Sequence, residues 1–410
     1  MKTLITAALT ATTLLLTACG GEHKGGSNET QMTQAALGEA LFHDVNLSFN
    51  RTQSCASCHN AATAFTDPSL TPQGQRRAAS IGDDGVSLGD RNTPTAMYGD
   101  AVPEFNYGTR NRVNSTAGNY EGWFGGQFWD GRAADLAEQA GAPLLNPGEM
   151  NMPDKTSVIT RIRENSDYET AFTQLFGADI FEDTDAAYAA IEDSIAAFEQ
   201  TDALAPYTSK YDRFLSGDYQ YSPISKAAAG KALFFSQQFT NCATCHQLKT
   251  QGSKGETFSN YEFHNIGVPV NTALRNANGL GAEYQDTGLA SSEALPDGTD
   301  TSTLGGKFRT PTLRNVGVTA PYMHNGVFQS LDTVIRFYDR HLAGSDNEIN
   351  PETGIAWAAP EVADNISTDI LQTGPKLSDS DIEALKCFLY SLTDEAYEAL
   401  LPEDVASCGL

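Results

Sequence analysis

The sequence is poor in basic side chains. Its 410 residues include 26 Lys and Arg against 52 Asp and Glu, which gives a formal charge of −26 at pH 7. A chain this acidic repels phosphate backbones and anionic headgroups, so the composition excludes nucleic acid and an anionic membrane surface as partners. A basic partner protein remains compatible with this charge. The same charge also serves simply to keep a protein soluble.

Long apolar runs are scarce as well. The one such run, residues 4–16, follows Lys2 and is too short to span a bilayer. It ends in Leu-Thr-Ala-Cys at residues 16–19, which resembles the lipobox of bacterial lipoproteins. The resemblance predicts a signal peptide at 1–18, lipidation of Cys19 and a flexible tether at 19–33. The chain would then be periplasmic and held to the cell envelope, most simply the outer membrane, by its lipid alone. The alternative is an ordinary signal peptide with an incidental cysteine.

Cysteine is rare, and each one can be assigned. The seven are Cys19, Cys55, Cys58, Cys242, Cys245, Cys387 and Cys408. After the lipidation site, four of them form two CXXC pairs. The last two, Cys387 and Cys408, can form a disulfide in an oxidising compartment. The alternative for these two is a pair of free thiols.

Both CXXC pairs continue into histidine, as CASCH at 55–59 and CATCH at 242–246. CXXCH is the attachment motif of c-type haem. The two intervening residues let both sulfurs reach the vinyl groups of one porphyrin, and the next residue is delivered beneath the iron. His59 and His246 are therefore the predicted proximal ligands, and two c-type haems are the predicted cofactors.

A zinc site built from both CXXC pairs is the main alternative. It fits poorly, because a histidine follows each pair at once and a whole domain separates the pairs. A thioredoxin-like redox pair lacks its βαβ context.

A diverged internal repeat indicates two domains. LGEALF at 37–42 precedes the first motif and AGKALF at 229–234 precedes the second. Helical spacing at 187–198 predicts a helix that closes the first domain, and Ser378 with Asp381 predicts the capping box of a second closing helix. Residues 271–305 read as a long loop, and no convincing β pattern appears. The predicted fold is mostly α, with two cytochrome c-like domains that each bind one haem covalently and have long loops between helices. Their expected ranges are 34–205 and 223–395, with a linker at 206–222 and a tail at 396–410.

Five further segments carry a family resemblance. They are RNTPT at 91–95, FWDGR at 128–132, NPGEM at 146–150, RTPTLRN at 309–315 and APYMHNG at 320–326. Together they resemble the bacterial di-haem cytochrome c peroxidases and the related protein MauG, which matures a tryptophan-derived cofactor. The resemblance runs from about residue 34 to residue 392.

The resemblance implies roles for residues around the N-terminal haem, which is the peroxidatic one in this family. Glu149 would be the general acid–base over the open iron face, and Gln139 would orient peroxide or water nearby. Moving a proton between the two peroxide oxygens is a task suited to a carboxylate. Trp129 would relay electrons between the haems. The alternatives are a solvated loop carboxylate, an exposed helix position and a core aromatic.

The family also binds calcium between its haems. Asn92, Thr319 and Pro321 match those ligands, through one side-chain oxygen and two backbone carbonyls, the kind of oxygen ligand that calcium prefers. The alternative for Asn92 is a turn residue ahead of Thr93 and Pro94.

Two departures from typical peroxidases bear on function. Many members close the resting N-terminal haem with a histidine, whereas no histidine occurs between His59 and His246 here. The C-terminal haem usually takes a distal methionine, but Tyr338 occupies that position, as a tyrosine does in MauG. The rival ligand is Met323, and a third possibility leaves Tyr338 in the core. An insertion at 103–126, relative to typical members, would shape an access route or a docking surface, or would be a plain surface loop.

The leading functional hypothesis is a di-haem c-type peroxidase. It would reduce hydrogen peroxide to water with electrons from a small donor protein, a cytochrome c or a cupredoxin. The alternative is a MauG-like enzyme that uses peroxide-oxidised haem to oxidise a protein or organic substrate. A non-catalytic di-haem electron carrier ranks third, because a carrier needs no acid–base group over an open iron. The resemblance makes a homodimer compatible with either enzyme.

Overall fold

Two helical cores, one in each half of the chain, position the CXXCH motifs. The structure, a computed structural model, describes residues 32–112, 115, 117–248, 255–281 and 283–410. The signal peptide, Cys19 and the tether up to residue 31 lie outside these residues. Among the described helices, none is both long enough and apolar enough to cross a bilayer.

The N-terminal half contains six helices and one hairpin among its described residues. They are α1 (Gln34–Phe42), α2 (Cys55–Cys58), β1 (Asn106–Arg110), β2 (Tyr120–Phe124), α3 (Leu136–Leu145), α4 (Lys155–Arg163), α5 (Ser166–Phe176) and α6 (Thr184–Glu199). The core formed here includes Leu37, Phe42, Phe172 and Ile191. The predicted closing helix at 187–198 is confirmed as part of α6.

The C-terminal half repeats this plan with more irregular connections. Its described elements are α7 (Lys210–Ser216), α8 (Lys226–Phe234), α9 (Cys242–Cys245), β3 (Phe263–His264), α10 (Thr272–Ala277), β4 (Phe308–Arg309), α11 (Leu331–Asp339), β5 (Ile349–Asn350), β6 (Ile355–Ala356), α12 (Thr368–Leu371) and α13 (Asp379–Tyr390). Its core includes Phe234, Phe258 and Phe388. The predicted capping box of Ser378 and Asp381 is confirmed at the start of α13.

The internal repeat corresponds to the same helix–helix packing in both halves of the chain. In each half, the helix ahead of the haem motif packs against the closing helix, α1 against α6 and α8 against α13. A Cβ at Gly38 would lie 1.8 Å from the carbonyl oxygen of Ser194, and a Cβ at Gly230 would lie 1.8 Å from that of Ala384. Only glycine permits these backbones to approach so closely. The glycine shared by LGEALF and AGKALF is therefore a packing requirement of both crossings.

The described structure contains β elements that the sequence did not lead us to expect. Strands β1 and β2 of the 103–126 insertion pair antiparallel, with Tyr107 opposite Trp123, and two shorter sheets pair β3 with β4 and β5 with β6. Aromatic side chains favour a pleated, half-buried surface, which explains the hairpin. Two more expectations differ from the structure, since α7 lies within the predicted linker and α10 within the predicted 271–305 loop. The mostly α fold is nevertheless confirmed.

A buried polar cluster around Asp394 joins the two halves. Tyr98 Oη donates to Asp394 Oδ2 at 2.6 Å, and Asn315 Nδ2 donates to the same oxygen at 2.9 Å. Asp394 and Asn315 are fully buried. Because Tyr98 lies between the haem motifs and Asn315 lies after both, this cluster fixes the segments around the site to one another.

Cys387 of α13 is joined to Cys408 in the C-terminal tail, with 5.2 Å between their Cα atoms. Both cysteines are completely buried. The tail is thereby attached to the closing helix of the C-terminal core.

Candidate functional site

The two haem attachment motifs adopt the same local structure. Each CXXC forms one helical turn, α2 or α9, and the histidine follows at its C-terminal end. His59 Nδ1 lies 3.1 Å from the carbonyl oxygen of Phe65, and His246 Nδ1 lies 2.9 Å from that of Phe258. Since a carbonyl only accepts, each Nδ1 donates, and each Nε2 keeps a free lone pair. Such a hydrogen bond fixes the tautomer and orientation of a metal-binding histidine.

Burial keeps both imidazoles neutral. It lowers the pKa of His59 below the ordinary histidine value and lowers the pKa of His246 to about 4. A neutral imidazole is the form that binds a metal. Both residues therefore suit the role of proximal iron ligand.

The arrangement of the cysteines excludes the zinc alternative for the described residues. Cys55 and Cys58 line one cavity, whereas Cys242 and Cys245 line another. Among the residues that the structure describes, no three His, Cys, Asp or Glu side chains are grouped to hold a metal ion. Each pair instead lies beside its own histidine, as covalent attachment of one haem per cavity requires.

The N-terminal cavity brings together the residues predicted for peroxide chemistry. His59, Gln139, Glu149 and Trp129 all line it. Helix α3 carries Gln139, and a turn just after α3 carries Glu149. The amide of Glu149 donates to the carbonyl of Asn146 at 3.0 Å, which shapes this turn.

The environment of Glu149 alters its acidity. Burial raises the pKa of the Glu149 carboxyl above its ordinary value, while the nearby Arg132 guanidinium opposes the shift and Asp90 adds to it. Arg132 is itself held over the ring of Phe128, with its guanidinium carbon 3.6 Å from the ring centroid. A raised pKa makes this carboxyl a stronger base, which suits a group that accepts and then returns a proton.

Trp129 lies between the two sites. It lines both cavities, and its Nε1 donates to the carbonyl of Asn92 at 2.8 Å. The amide of Asn92 in turn donates to the carbonyl of His324 at 2.7 Å. The indole is thus held in a fixed orientation between the cavities.

The three residues matched to calcium ligands also meet at the N-terminal cavity. Asn92, Thr319 and Pro321 all line it. Asn92 Nδ2 donates to the carbonyl of Ala78 at 3.2 Å, which leaves the side-chain oxygen of Asn92 as a ligand atom. These residues offer neutral oxygens, which suit a hard cation.

Tyr338 and Met323 occupy different positions around the C-terminal cavity. Tyr338 lies on α11 and lines the cavity that contains Cys242, Cys245 and His246. Burial raises the pKa of its hydroxyl, and the adjacent thiols of Cys245 and Cys242 raise it further. Met323 lines both cavities from a backbone with φ of +72°.

The structure adds residues that the sequence did not single out. Glu199, the last residue of α6, lines the N-terminal cavity with a buried Oε2 that has no hydrogen-bond partner among the described residues, and burial raises its pKa to about 8. Arg309 lines both cavities, and burial lowers its pKa to about 10. His264 lines the C-terminal cavity beside Glu262. Arg309 belongs to a family segment, but no sequence pattern distinguishes Glu199 or His264 from core residues.

Comparison with known proteins agrees with this geometry. A family model described as di-haem cytochrome c peroxidase matches residues 32–220. The methylamine utilization protein MauG of Paracoccus denitrificans is 46% identical over 375 residues, 91% of this chain and 92% of that protein. The cytochrome c551 peroxidase of Pseudomonas aeruginosa is 30% identical over 305 residues, 73% of this chain and 70% of the relative.

A solved structure extends the similarity to the fold. The crystal structure of the di-haem peroxidase BthA from Burkholderia thailandensis has a TM-score of 0.75 and 28% identity, covering 92% of this chain and 90% of the other. Its likeness spans both haem motifs. This chain therefore belongs to the di-haem cytochrome c peroxidase and MauG family of oxidoreductases, which carry two c-type haems.

Proposed function

We propose that this protein uses hydrogen peroxide at its N-terminal haem to oxidise a protein or another organic substrate, an activity of the MauG kind. The observation that carries the proposal is the position of Tyr338 on the wall of the C-terminal cavity. A phenolate ligand favours higher oxidation states of iron, whereas a thioether raises the reduction potential. A haem so ligated is a poor high-potential electron reservoir and suits substrate oxidation better than repeated peroxide reduction.

The bound haems would supply peroxide reduction and electron transfer, and the side chains would control protons and orientation. Glu149 takes the proton from the inner peroxide oxygen and returns it to the outer one, which leaves as water. Gln139, on the wall of the same cavity, orients the peroxide. Trp129, held by its hydrogen bond to Asn92, relays electrons between the cavities.

The proposed iron face at the N-terminal site is open to peroxide without prior reduction. His59 is the only histidine among the described residues that line this cavity. No histidine occurs between His59 and His246, so no side chain of that type can close the site from this segment.

The relatives support a protein substrate. The 46% identical relative is named for methylamine utilization, and two further proteins of that name are each 30% identical. A partner protein of methylamine utilization, oxidised at a side chain such as tryptophan, is therefore the first substrate to test.

A second candidate is peroxide reduction at the expense of a cytochrome c or a cupredoxin. The similarity to peroxidases, including BthA, favours it. Rapid mixing of fully oxidised protein with peroxide separates the two. The MauG-like proposal expects an immediate reaction whose product decays faster with a protein substrate, and slow steady-state turnover with reduced cytochrome c or cupredoxin. A reaction that requires one haem to be reduced first, followed by fast turnover with such a donor, would establish the peroxidase instead.

We further propose a calcium ion held by Asn92, Thr319 and Pro321, and a periplasmic location with a lipid at Cys19. Prolonged chelation should shift the absorption spectra of the haems, because the ligands lie on the wall of a haem cavity, and added calcium should restore them. Spectra that do not respond to chelation would argue against the ion.

A further inference from the structure

The insertion hairpin, defined as residues 103–126, reaches the attachment turn of the C-terminal haem through its described residues, although it belongs to the N-terminal half. Ser115 Oγ lies 3.0 Å from Oγ1 of Thr244, which stands between the two haem-binding cysteines. The amide of Gly125 donates to the carbonyl of Tyr261 at 2.9 Å. The described part of the insertion therefore contacts the attachment turn of the second haem and the carbonyl of Tyr261, and it is not a free surface loop.

The hairpin also places a charge near the second haem cavity. Arg112 donates to Oε2 of Glu262 through both Nε, at 3.2 Å, and Nη2, at 2.7 Å. The Arg112 side chain is 6% exposed and the Glu262 side chain is 0% exposed. An ion pair so far from water keeps most of its electrostatic strength, and removing one partner leaves the other as an uncompensated buried charge.

A histidine connects this pair to the haem cavity. Glu262 Oε2 lies 3.1 Å from Nε2 of His264, and His264 lines the cavity together with His246 and Tyr338. Glu262 Oε1 is buried and has no hydrogen-bond partner among the described residues. Arg112 and His264 both contact this carboxylate, and Arg110 lies close enough to interact with its charge. A change in this compensation reaches the cavity wall through His264.

We propose that the insertion hairpin sets the reduction potential of the His246 haem, with Arg112 neutralising Glu262 and His264 connecting the pair to the haem. Buried charge and hydrogen bonding near the iron are two of the means by which a protein sets a haem potential. The proposal requires only a covalent haem at the second site, so it holds for either candidate function. Arg112, Glu262 and His264 are positioning residues in this scheme.

Removing Arg112 and removing the charge of Glu262 should shift the reduction potential of the His246 haem in opposite directions. Without Arg112, the negative charge of Glu262 keeps only its contact with His264, so it stabilises the ferric haem and lowers its potential. Without the charge of Glu262, the unpaired cation of Arg112 stabilises the ferrous haem and raises its potential. A merely structural role would move both variants in one direction or leave both unchanged.

Redox titration of the two-haem protein, followed by absorption, tests this directly. We expect Arg112→Gln and Glu262→Gln to change the ferric-to-ferrous ratio of the His246 haem at a fixed applied potential by about tenfold in opposite directions, which is ~59 mV for one electron. The double variant should return toward the parent value. Arg112→Lys keeps the positive charge, so its His246 haem should have a reduction potential near that of the parent protein.

Arg51→Gln is the matched control, because it removes an arginine from an exposed pair with Glu164, whose side chains are 41% and 46% exposed. It should leave both potentials unchanged. Shifts of equal sign in the two single variants, or no shift in either, would overturn the proposal. If Arg112→Gln fails to retain haem, Glu262→Gln decides alone, since an unchanged or lowered potential in that variant contradicts the proposal.

Discussion

At the scale of single residues, a variant of Glu149 can test proton transfer without disturbing haem binding. Glu149→Gln keeps the size of the side chain but cannot take a proton, so the reaction with peroxide should slow by on the order of 100- to 10,000-fold while both haems stay bound. Rapid-mixing absorption measures the rate, and pyridine haemochrome spectra measure the haem content. Glu182→Gln, at an exposed position of the same half, is the control and should react normally.

Glu149 also predicts a pH dependence. Its pKa is raised by burial above the ordinary value of 4.5, and only the carboxylate can accept the peroxide proton. The rate in the parent protein should therefore fall as the pH drops through a pKa above 4.5, and Glu149→Gln should lose this dependence. A near-normal rate in the variant would show that Glu149 does not transfer the peroxide proton.

Tyr338→Phe tests the ligand of the C-terminal haem. Loss of the hydroxyl should change the low-spin spectrum of one haem. Because a phenolate favours ferric iron, its loss should also raise the reduction potential of that haem. The expected rise is at least ~59 mV, which corresponds to a tenfold change in the ferric-to-ferrous ratio. Electron paramagnetic resonance and redox titration measure these changes. Met323→Leu is the control. If that variant abolishes the low-spin signal and Tyr338→Phe leaves it untouched, methionine is the ligand and the peroxidase hypothesis gains.

At the scale of elements, the two helix crossings explain the shared glycine of the repeat. Gly38→Ala and Gly230→Ala would each drive a Cβ into a backbone carbonyl at 1.8 Å. Overpacking of this kind costs about 1–3 kcal/mol, since the helices must separate. Thermal or denaturant unfolding of the haem-loaded protein should show a loss of this size in both variants.

Gly141 of α3 provides a matched comparison. A Cβ there would lie 1.9 Å from Glu192 Oε1, the end of a flexible side chain that can move aside. Gly141→Ala should therefore destabilise the protein less than either of the other two variants. Equal losses at all three positions would mean that general helix effects, rather than the crossings, determine the stability.

Local signals predicted some elements well and others not at all. The end of α6 and the start of α13 follow from apolar spacing and a capping box, which act within a few residues of chain. Strands β1 and β2 were missed because the pairing of Tyr107 with Trp123 joins residues 16 positions apart across a glycine-containing segment. Helix α7 begins with a local capping box of Ser209 and Asp212, so a local signal for it was present but was not used. Its long-range support, the ion pair of Asp212 with Arg314 across 102 residues, is visible only in the structure.

At the scale of the whole molecule, the disulfide attaches the tail to the C-terminal core. Cys408→Ala should cost about 3 kcal/mol of unfolding free energy, because the bond closes a loop of 21 residues. Denaturant unfolding measures the loss, and reduction of the parent protein should reproduce it. Non-reducing peptide mapping that recovers Cys387 and Cys408 as separate alkylated peptides would contradict the pairing.

The covalent state of the mature protein can be tested by intact mass. Material extracted from membranes should begin at Cys19 with an acyl modification and carry two haem increments. Cys19→Ser should release the protein from the membrane with both haems in place. A parent mass without acylation would favour the ordinary signal peptide.

The sequence alone determined the chemistry that depends on short spacing, and the tertiary structure decided everything that depends on contacts between distant segments. Two CXXCH motifs specify two haems because attachment needs only five consecutive residues. The family resemblance pointed to Glu149, Gln139 and Tyr338. Spacing cannot show that Arg112 reaches Glu262, 150 positions away, because a buried ion pair forms only when packing excludes water from both side chains.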